Sequence, residues 1–275
     1  MTTPLVTVAI CTFNGETYLE KTLDSALAQT YPNFEIVVVD DGSTDGTTGI
    51  IERYALEHVS IRPFYRSNHG LPASRNFAFA CAKGDWIAII DQDDLCYPTR
   101  LARQIEVAER YPTAGLVFCN THYINESDDV IGDHMSRFNL PNGFIAKGLA
   151  ANLLLREGCY IDSESCFIKR ETVQALGALD ETLRFACDYD YFIRAGFVVD
   201  FAYSADILAA WRIHASQASK TDARRFIEVY QVYRRYLWTS DVTLRTKASL
   251  ISRQSKAFTL HLLQKLPAQK GAAAT

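Results

Sequence analysis

Asp91-Gln92-Asp93-Asp94 stands directly behind the apolar run Trp86-Ile87-Ala88-Ile89-Ile90. Such a run reads as a buried strand, so three carboxylates gather at its carboxyl end. They repel one another unless a cation sits among them. Carboxylate oxygens suit hard cations such as Mg²⁺ and Mn²⁺, which keep coordination positions open for substrate phosphates. A polar turn, with Asp91 or Asp94 capping the next helix, is the plainer account of the same residues.

Asp40-Asp41-Gly42-Ser43-Thr44-Asp45-Gly46 follows a second apolar run. A carboxylate there can accept the imide N–H of a uracil or thymine, or the stretch is a glycine-rich turn with a helix cap. Asp41, Ser43, Asp45, Gly46 and Glu52 nearly fit a calcium loop. A helix must precede such a loop, and here a β-branched strand does; Thr48 also holds a position that is normally apolar. Arg75-Asn76 opens a helix behind Gly70-Leu71-Pro72-Ala73-Ser74, where the helix dipole disfavours a cation; a guanidinium there can serve phosphates. Asp188 and Asp190 flank Tyr189 within reach of Arg194, an arrangement that fits catalysis and structural ion pairing equally. His214, in Trp211-Arg212-Ile213-His214, reads on its own as structural.

These residues need a frame. Leu5–Thr12, Glu35–Asp40, Ile61–Arg66, Trp86–Asp91 and Ala114–Asn120 read as strands. Glu16–Gln29, Thr44–Glu57, Ala73–Ala82 and Arg100–Arg110 read as the helices between them. That alternation predicts an α/β fold with a mostly parallel central sheet and helices on both faces. Ligands in such sheets bind outside the carboxyl ends of the strands, which is where Thr12, Asp40-Asp41, Arg66 and Asp91-Gln92-Asp93 fall. Residues 121–163 are loop-rich apart from a helix at Ala146–Arg156. Beyond them come a strand at Ser165–Arg170, short helices at Glu171–Ala175 and Asp188–Ala195, a strand at Val198–Tyr203 and two helices after Asp222.

A 275-residue chain with 48% hydrophobic residues has material for a large core. No apolar stretch approaches bilayer length, and Met1-Thr2-Thr3-Pro4 lacks the basic region of a secretion signal. Seven cysteines without a CxxC pair point to reduced thiols in the cytoplasm. The first strand is followed by Phe13-Asn14-Gly15-Glu16 rather than G-x-G-x-x-G, which argues against a dinucleotide-dependent enzyme. A P-loop is absent as well, and no nucleic-acid module is recognisable. Residues 220–275 carry 11 Lys and Arg against 3 acids, a balance of +8 that leaves −12 for residues 1–219. An acidic, cation-binding body therefore bears a tail suited to an anionic partner. Within that tail Phe226, Val229, Tyr230, Tyr233 and Leu237, then Leu244, Ile251, Phe258 and Leu262, recur at helical spacing. The stripes can pack on the body or a second subunit, or rest on an anionic membrane.

Taken in order, Val6-Thr7-Val8-Ala9-Ile10-Cys11-Thr12-Phe13-Asn14, Asp40-Asp41-Gly42-Ser43, Ala73-Ser74-Arg75-Asn76, Asp91-Gln92-Asp93-Asp94, Cys187-Asp188 and Arg212-x-His214 resemble the family 2 glycosyltransferases of the GT-A fold. The resemblance spans residues 5–215, the chemistry-bearing body of the chain. It implies an inverting transfer of a sugar from a UDP- or dTDP-sugar to an acceptor hydroxyl, in bacterial cell-surface polysaccharide or glycoconjugate synthesis. Asp41, with Thr12 and Asn14, would line the nucleotide pocket. Asp93 would ligand Mg²⁺ or Mn²⁺ on the donor diphosphate, with Asp91 near the ribose or metal and His214 near the diphosphate or metal. Arg75 would approach the phosphates or donor sugar, and Asp188 would be the catalytic base. Many relatives carry Glu before that Asp; this chain has Cys187.

The implied layout is a nucleotide-sugar-binding half at 1–115, an acceptor-binding half at 116–219 and a basic helical extension at 220–275. The acceptor would be a saccharide or lipid-linked saccharide, met in the cytoplasm or at the inner face of the membrane, with the tail mediating peripheral membrane contact or homo-oligomer formation. A nucleotidyltransferase is the enzymatic rival, but it would want a glycine- and base-rich triphosphate loop after the first strand. A non-catalytic sugar-nucleotide-binding module is the rival from another class.

Overall fold

The computed structural model describes residues 3–140, 142–215, 217 and 224–253. Its first half alternates as expected: β1 (Val6–Thr12), α1 (Leu19–Leu27), β2 (Phe34–Asp40), α2 (Thr47–Glu57), β3 (Ile61–Tyr65), α3 (Leu71–Cys81) and β4 (Trp86–Asp91). A two-residue strand β5 (Leu95–Cys96), α4 (Arg100–Arg110) and β6 (Ala114–Ile124) follow. The second half adds β7 (Val130–Asp133), β8 (Gly143–Ile145), α5 (Leu149–Glu157), β9 (Phe167–Lys169), α6 (Arg170–Leu176), α7 (Cys187–Val198), β10 (Asp200–Arg212) and α8 (Arg224–Leu237).

One ten-stranded sheet results, in the order β3-β2-β1-β4-β9-β6-β10-β5, with β7 on β6 and β8 on β10. The long ladders are parallel: β1 with β2 and β4, β2 with β3, and β6 with β10. Short antiparallel ladders complete it, and β9 runs antiparallel to both β4 and β6. The strand pattern explains why both faces are covered. In β1, Val6, Val8 and Ile10 point into a core closed by α1, α2 and α4, while Ala9 and Cys11 point into one closed by α3, α5, α7 and α8. The strands β2 and β4 repeat this division, so their near-continuous apolar runs are buried on both sides.

Several boundaries differ from the sequence reading for identifiable reasons. Helix α3 starts two residues early, with Gly70 at φ 88° before it and Pro72 in its first turn. Helix α7 runs on to Val198, displacing the start of β10, which extends to Arg212 through register shifts between Ser204 and Ala209. Val229, Tyr233 and Leu237 of the predicted tail stripe pack on the body, and Tyr236 joins them. Val232 and Tyr233 of α8 enter the core beside the buried Glu228. Arg235, off that stripe, pairs with Asp180 at 2.6 Å and Asp190 at 3.3 Å on the body. Residues 244–253 are helical, burying Thr246 and Leu250, while Leu244 and Ile251 face outward. Phe258 and Leu262 lie outside the described residues. Among the described residues, no helix is long and apolar enough to cross a membrane.

Candidate active site

In the sheet order, β1 lies between β2 and β4, with chain connections leading off in both directions, the crevice in which α/β sheets place ligands. Register brings Thr12 beside Asp40 and Cys11 beside Asp91, so the loops after β1, β2 and β4 share one edge. Gln92 ties two of them together: its Oε1 accepts from Thr12 Oγ1 at 2.7 Å and from the Phe13 amide at 2.8 Å. Asn14, in the left-handed region at φ 50°, donates its amide to Ser43 Oγ at 2.9 Å and accepts from the Thr44 amide at 2.8 Å. Asp41 is buried and accepts the His69 and Gly70 amides at 3.0 and 2.7 Å, fastening the loop that leads into α3. Thr12, Asn14 and Asp41 thus frame the crevice, and Phe13 between the first two is 44% exposed.

The calcium-like residues have other duties. Asp45 accepts the Glu16 and Thr47 amides at 3.2 and 3.1 Å, and Glu16 accepts the Gly46 amide at 2.7 Å, a reciprocal lock between two loops.

Arg75 is 1% exposed and spans two acids. Nη2 meets Asp91 at 2.5 Å, and Nη1 meets Asp188. Ser163 Oγ donates to the other oxygen of Asp188 at 2.9 Å. Burial opposes the charge of the guanidinium, but Asp188 and Asp91 outweigh it and hold Arg75 protonated. Burial pushes the Asp91 carboxyl up to about 6, with Asp188 and Asp93 adding and Arg75 opposing. The sequence reading gave Arg75 to the phosphates or donor sugar; its guanidinium also joins two carboxylates, from β4 and α7. Cys187 is buried and its thiol is pushed well up, so a neutral group precedes Asp188.

Of the three clustered carboxylates, Asp91 is therefore neutralised by Arg75. Asp94 is 1% exposed and accepts the Arg212 amide at 2.8 Å. Burial, with Glu164 nearby, drives its carboxyl well above the usual carboxylate range. Only Asp93 remains, and its Oδ2 meets His214 Nε2 at 2.8 Å. Arg212, fully buried, donates Nε to the Asp93 carbonyl at 2.8 Å and pairs with Asp128, fixing the β4 loop against the end of β10. Among the described residues no group of three or more His, Cys, Asp and Glu forms a ready cation cage. One carboxylate and one imidazole nevertheless fit Mg²⁺ or Mn²⁺, which take their other ligands from substrate phosphates and water.

The structure thus gathers the expected residues into two linked sets, Asp93 with His214 and Asp91 with Arg75 and Asp188. Gln92 and Arg212 were visible inside motifs without an assigned task. Ser163 carried no sequence signal.

The fold is the GT-A fold of glycosyltransferases. The model of glycosyl transferase family 2 matches residues 7–174, and the chain belongs to that family. It is 30% identical over 255 residues to an uncharacterized glycosyltransferase of Rickettsia typhi, covering 90% of this chain and 74% of that protein. Two solved structures share the fold at low identity. S. aureus TarS 1–349 in complex with UDP-GlcNAc superposes with a TM-score of 0.70 at 17% identity, over 94% of this chain and 72% of that one. The mannosyltransferase PcManGT from Pyrobaculum calidifontis, in complex with GDP-Man and Mn²⁺, gives 0.67 at 20%, over 97% and 77%. Membership sets aside the nucleotidyltransferase reading.

Proposed function

We propose that this glycosyltransferase is inverting and metal-dependent, and that it moves a sugar from a UDP- or dTDP-sugar to a hydroxyl of a saccharide or lipid-linked saccharide. One observation carries the reading: the Arg75 guanidinium binds Asp188 and Asp91, joining the proposed base to the strand end that bears Asp93. Asp188 keeps a free lone pair on each oxygen and accepts the acceptor's hydroxyl proton as that oxygen attacks the sugar carbon. A single displacement inverts the anomeric centre. Asp93 and His214 would hold Mg²⁺ or Mn²⁺, which when bound neutralises charge on the departing diphosphate. Thr12, Asn14 and Asp41 place their loops around the base, and Asp41 retains acceptor capacity for an imide N–H.

TarS is seen with a uracil nucleotide and PcManGT with a guanine one, so the fold accommodates both. Our choice of uracil or thymine rests on the Asp41 carboxylate. The tail, with its +8 balance and Trp238 and Leu244 each 85% exposed, supports an anionic lipid-linked acceptor of cell-surface polysaccharide or glycoconjugate synthesis, met at the cytoplasmic face of the membrane. Assembly into a homo-oligomer through the same tail is the alternative use of that surface.

A screen of UDP-, dTDP- and GDP-sugars for Mn²⁺-dependent hydrolysis and transfer, with the product anomer read by NMR, tests the reading. Retention of configuration, full turnover in EDTA, or a preference for GDP-sugars would each overturn the part it addresses.

A further inference from the structure

Helix α8 lies beyond the stretch matched by the family model, which ends at residue 174. It nevertheless closes on the helix that carries Asp188. Glu228 is 8% exposed, and its Oε2 accepts the amides of Phe185 at 2.6 Å and Ala186 at 2.9 Å. Ala186 is the cap position of α7 and has no side chain able to serve there. Amides at a helix entry lack partners within the helix, and a carboxylate beside them is further favoured by the helix dipole.

On the other side of Asp188, Asp190 Oδ1 accepts from Arg235 Nη1 at 3.3 Å and Tyr236 Oη at 3.2 Å. Tyr233 sets its ring edge-on to Tyr189 at 6.2 Å. Helix α8 thus grips residues 185, 186, 189 and 190 and leaves Asp188 to Arg75 and Ser163. Burying a carboxylate costs free energy that an apolar side chain at 228 would avoid. What the carboxylate adds is a fixed path for the chain entering α7.

We propose that α8 belongs to the catalytic apparatus and that Glu228 is a positioning residue, holding the entry of α7 so that Asp188 faces the acceptor hydroxyl. The inference rests on the reading of Asp188 as the base.

The test uses the full chain carrying Glu228→Ala, Glu228→Gln, Tyr236→Phe, and Glu228→Ala combined with Asp188→Asn. Glu228→Ala lowers kcat for transfer by on the order of 10²-fold, the scale of a displaced catalytic group, while donor Kd by calorimetry is unchanged. Glu228→Gln keeps an acceptor oxygen and recovers most of the rate. In the Asp188→Asn background Glu228→Ala costs nothing more, because both act through one carboxylate. Wild-type kcat in Glu228→Ala, or the same fold loss with and without Asp188, overturns the proposal. Should Glu228→Ala fail to fold, Tyr236→Phe, which removes one donor to Asp190, reads the same split between kcat and donor Kd, and an unchanged kcat there overturns it.

Hydrogen exchange at Phe185 and Ala186 decides independently of activity. Faster exchange in Glu228→Ala at unchanged melting temperature supports the clamp, and unchanged exchange overturns it. A wild-type chain that turns over no donor would sink the functional reading while leaving this readout intact.

Discussion

Asp93 and His214 meet at 2.8 Å although 121 residues separate them in the chain. The contact joins the loop after β4 to the segment after β10, across three intervening ladder steps of the sheet. Arg212 braces it from beneath by donating to the Asp93 carbonyl. The oxygen and nitrogen proposed to hold the metal are thus close together before any substrate arrives, which would lower the ordering cost of binding.

Asp93→Asn removes the charged oxygen and should abolish turnover while weakening donor binding in Mn²⁺. His214→Ala should weaken Mn²⁺-dependent donor binding but leave metal-free nucleotide binding alone. Calorimetry with and without EDTA reads both; a Mn²⁺-independent donor Kd in the unmutated chain would remove the metal from the assignment.

Asp188→Asn keeps the shape and loses the proton acceptor. Transfer should fall by roughly 10²–10⁴, the range for a general base, with donor affinity little changed. Normal turnover in this variant would make Asp188 a structural partner of Arg75.

Arg75→Met removes the guanidinium that spans Asp91 and Asp188. Breaking a buried pair from one side costs about 3–5 kcal/mol, so urea unfolding should show a large fall in midpoint with an unchanged slope. A shift within error would mean that the two acids find relief elsewhere.

Glu35 gives a pH dependence. Burial raises its carboxyl, but the Lys83 amide, Thr7 and Arg62 together bring it below the ordinary 4.5. A depressed carboxyl contributes stability that is present above its unfolded pKa and is lost as pH falls through the folded value. Thermal stability should therefore drop below about pH 4.5, and Glu35→Gln should flatten that limb while lowering stability at neutral pH. An acid limb unchanged in Glu35→Gln would assign it to other groups.

What the sequence disclosed follows from locality. β1, β2 and β4 were legible because strands buried on both faces read as unbroken apolar runs, and their carboxyl ends located the site. The sequence pattern stops β10 at Tyr203 because the exposed Ala205 and partly exposed Asp206, at the register shift after Ser204, interrupt the apolar run. The periodicity of α8 located Val229, Tyr233 and Leu237 on the body, but gave no sign that Glu228 beside them serves the amides at the start of α7. Arg75 and Asp188 lie 113 residues apart, and no periodicity links them. Pairings at that range are set by tertiary closure, as is the use of Ser163.

The place of β9 carries a consequence for how the chain is made. This three-residue strand fills the slot between β4 and β6, so until residues 167–169 emerge from the ribosome both strands present open edges. Unpaired edges of apolar strands invite pairing with other chains. The first 115 residues, although they contain the proposed nucleotide crevice, are thus expected to be a sticky nascent segment that depends on shielding during synthesis, and late closure by a distant strand should make folding slow for a protein of this size.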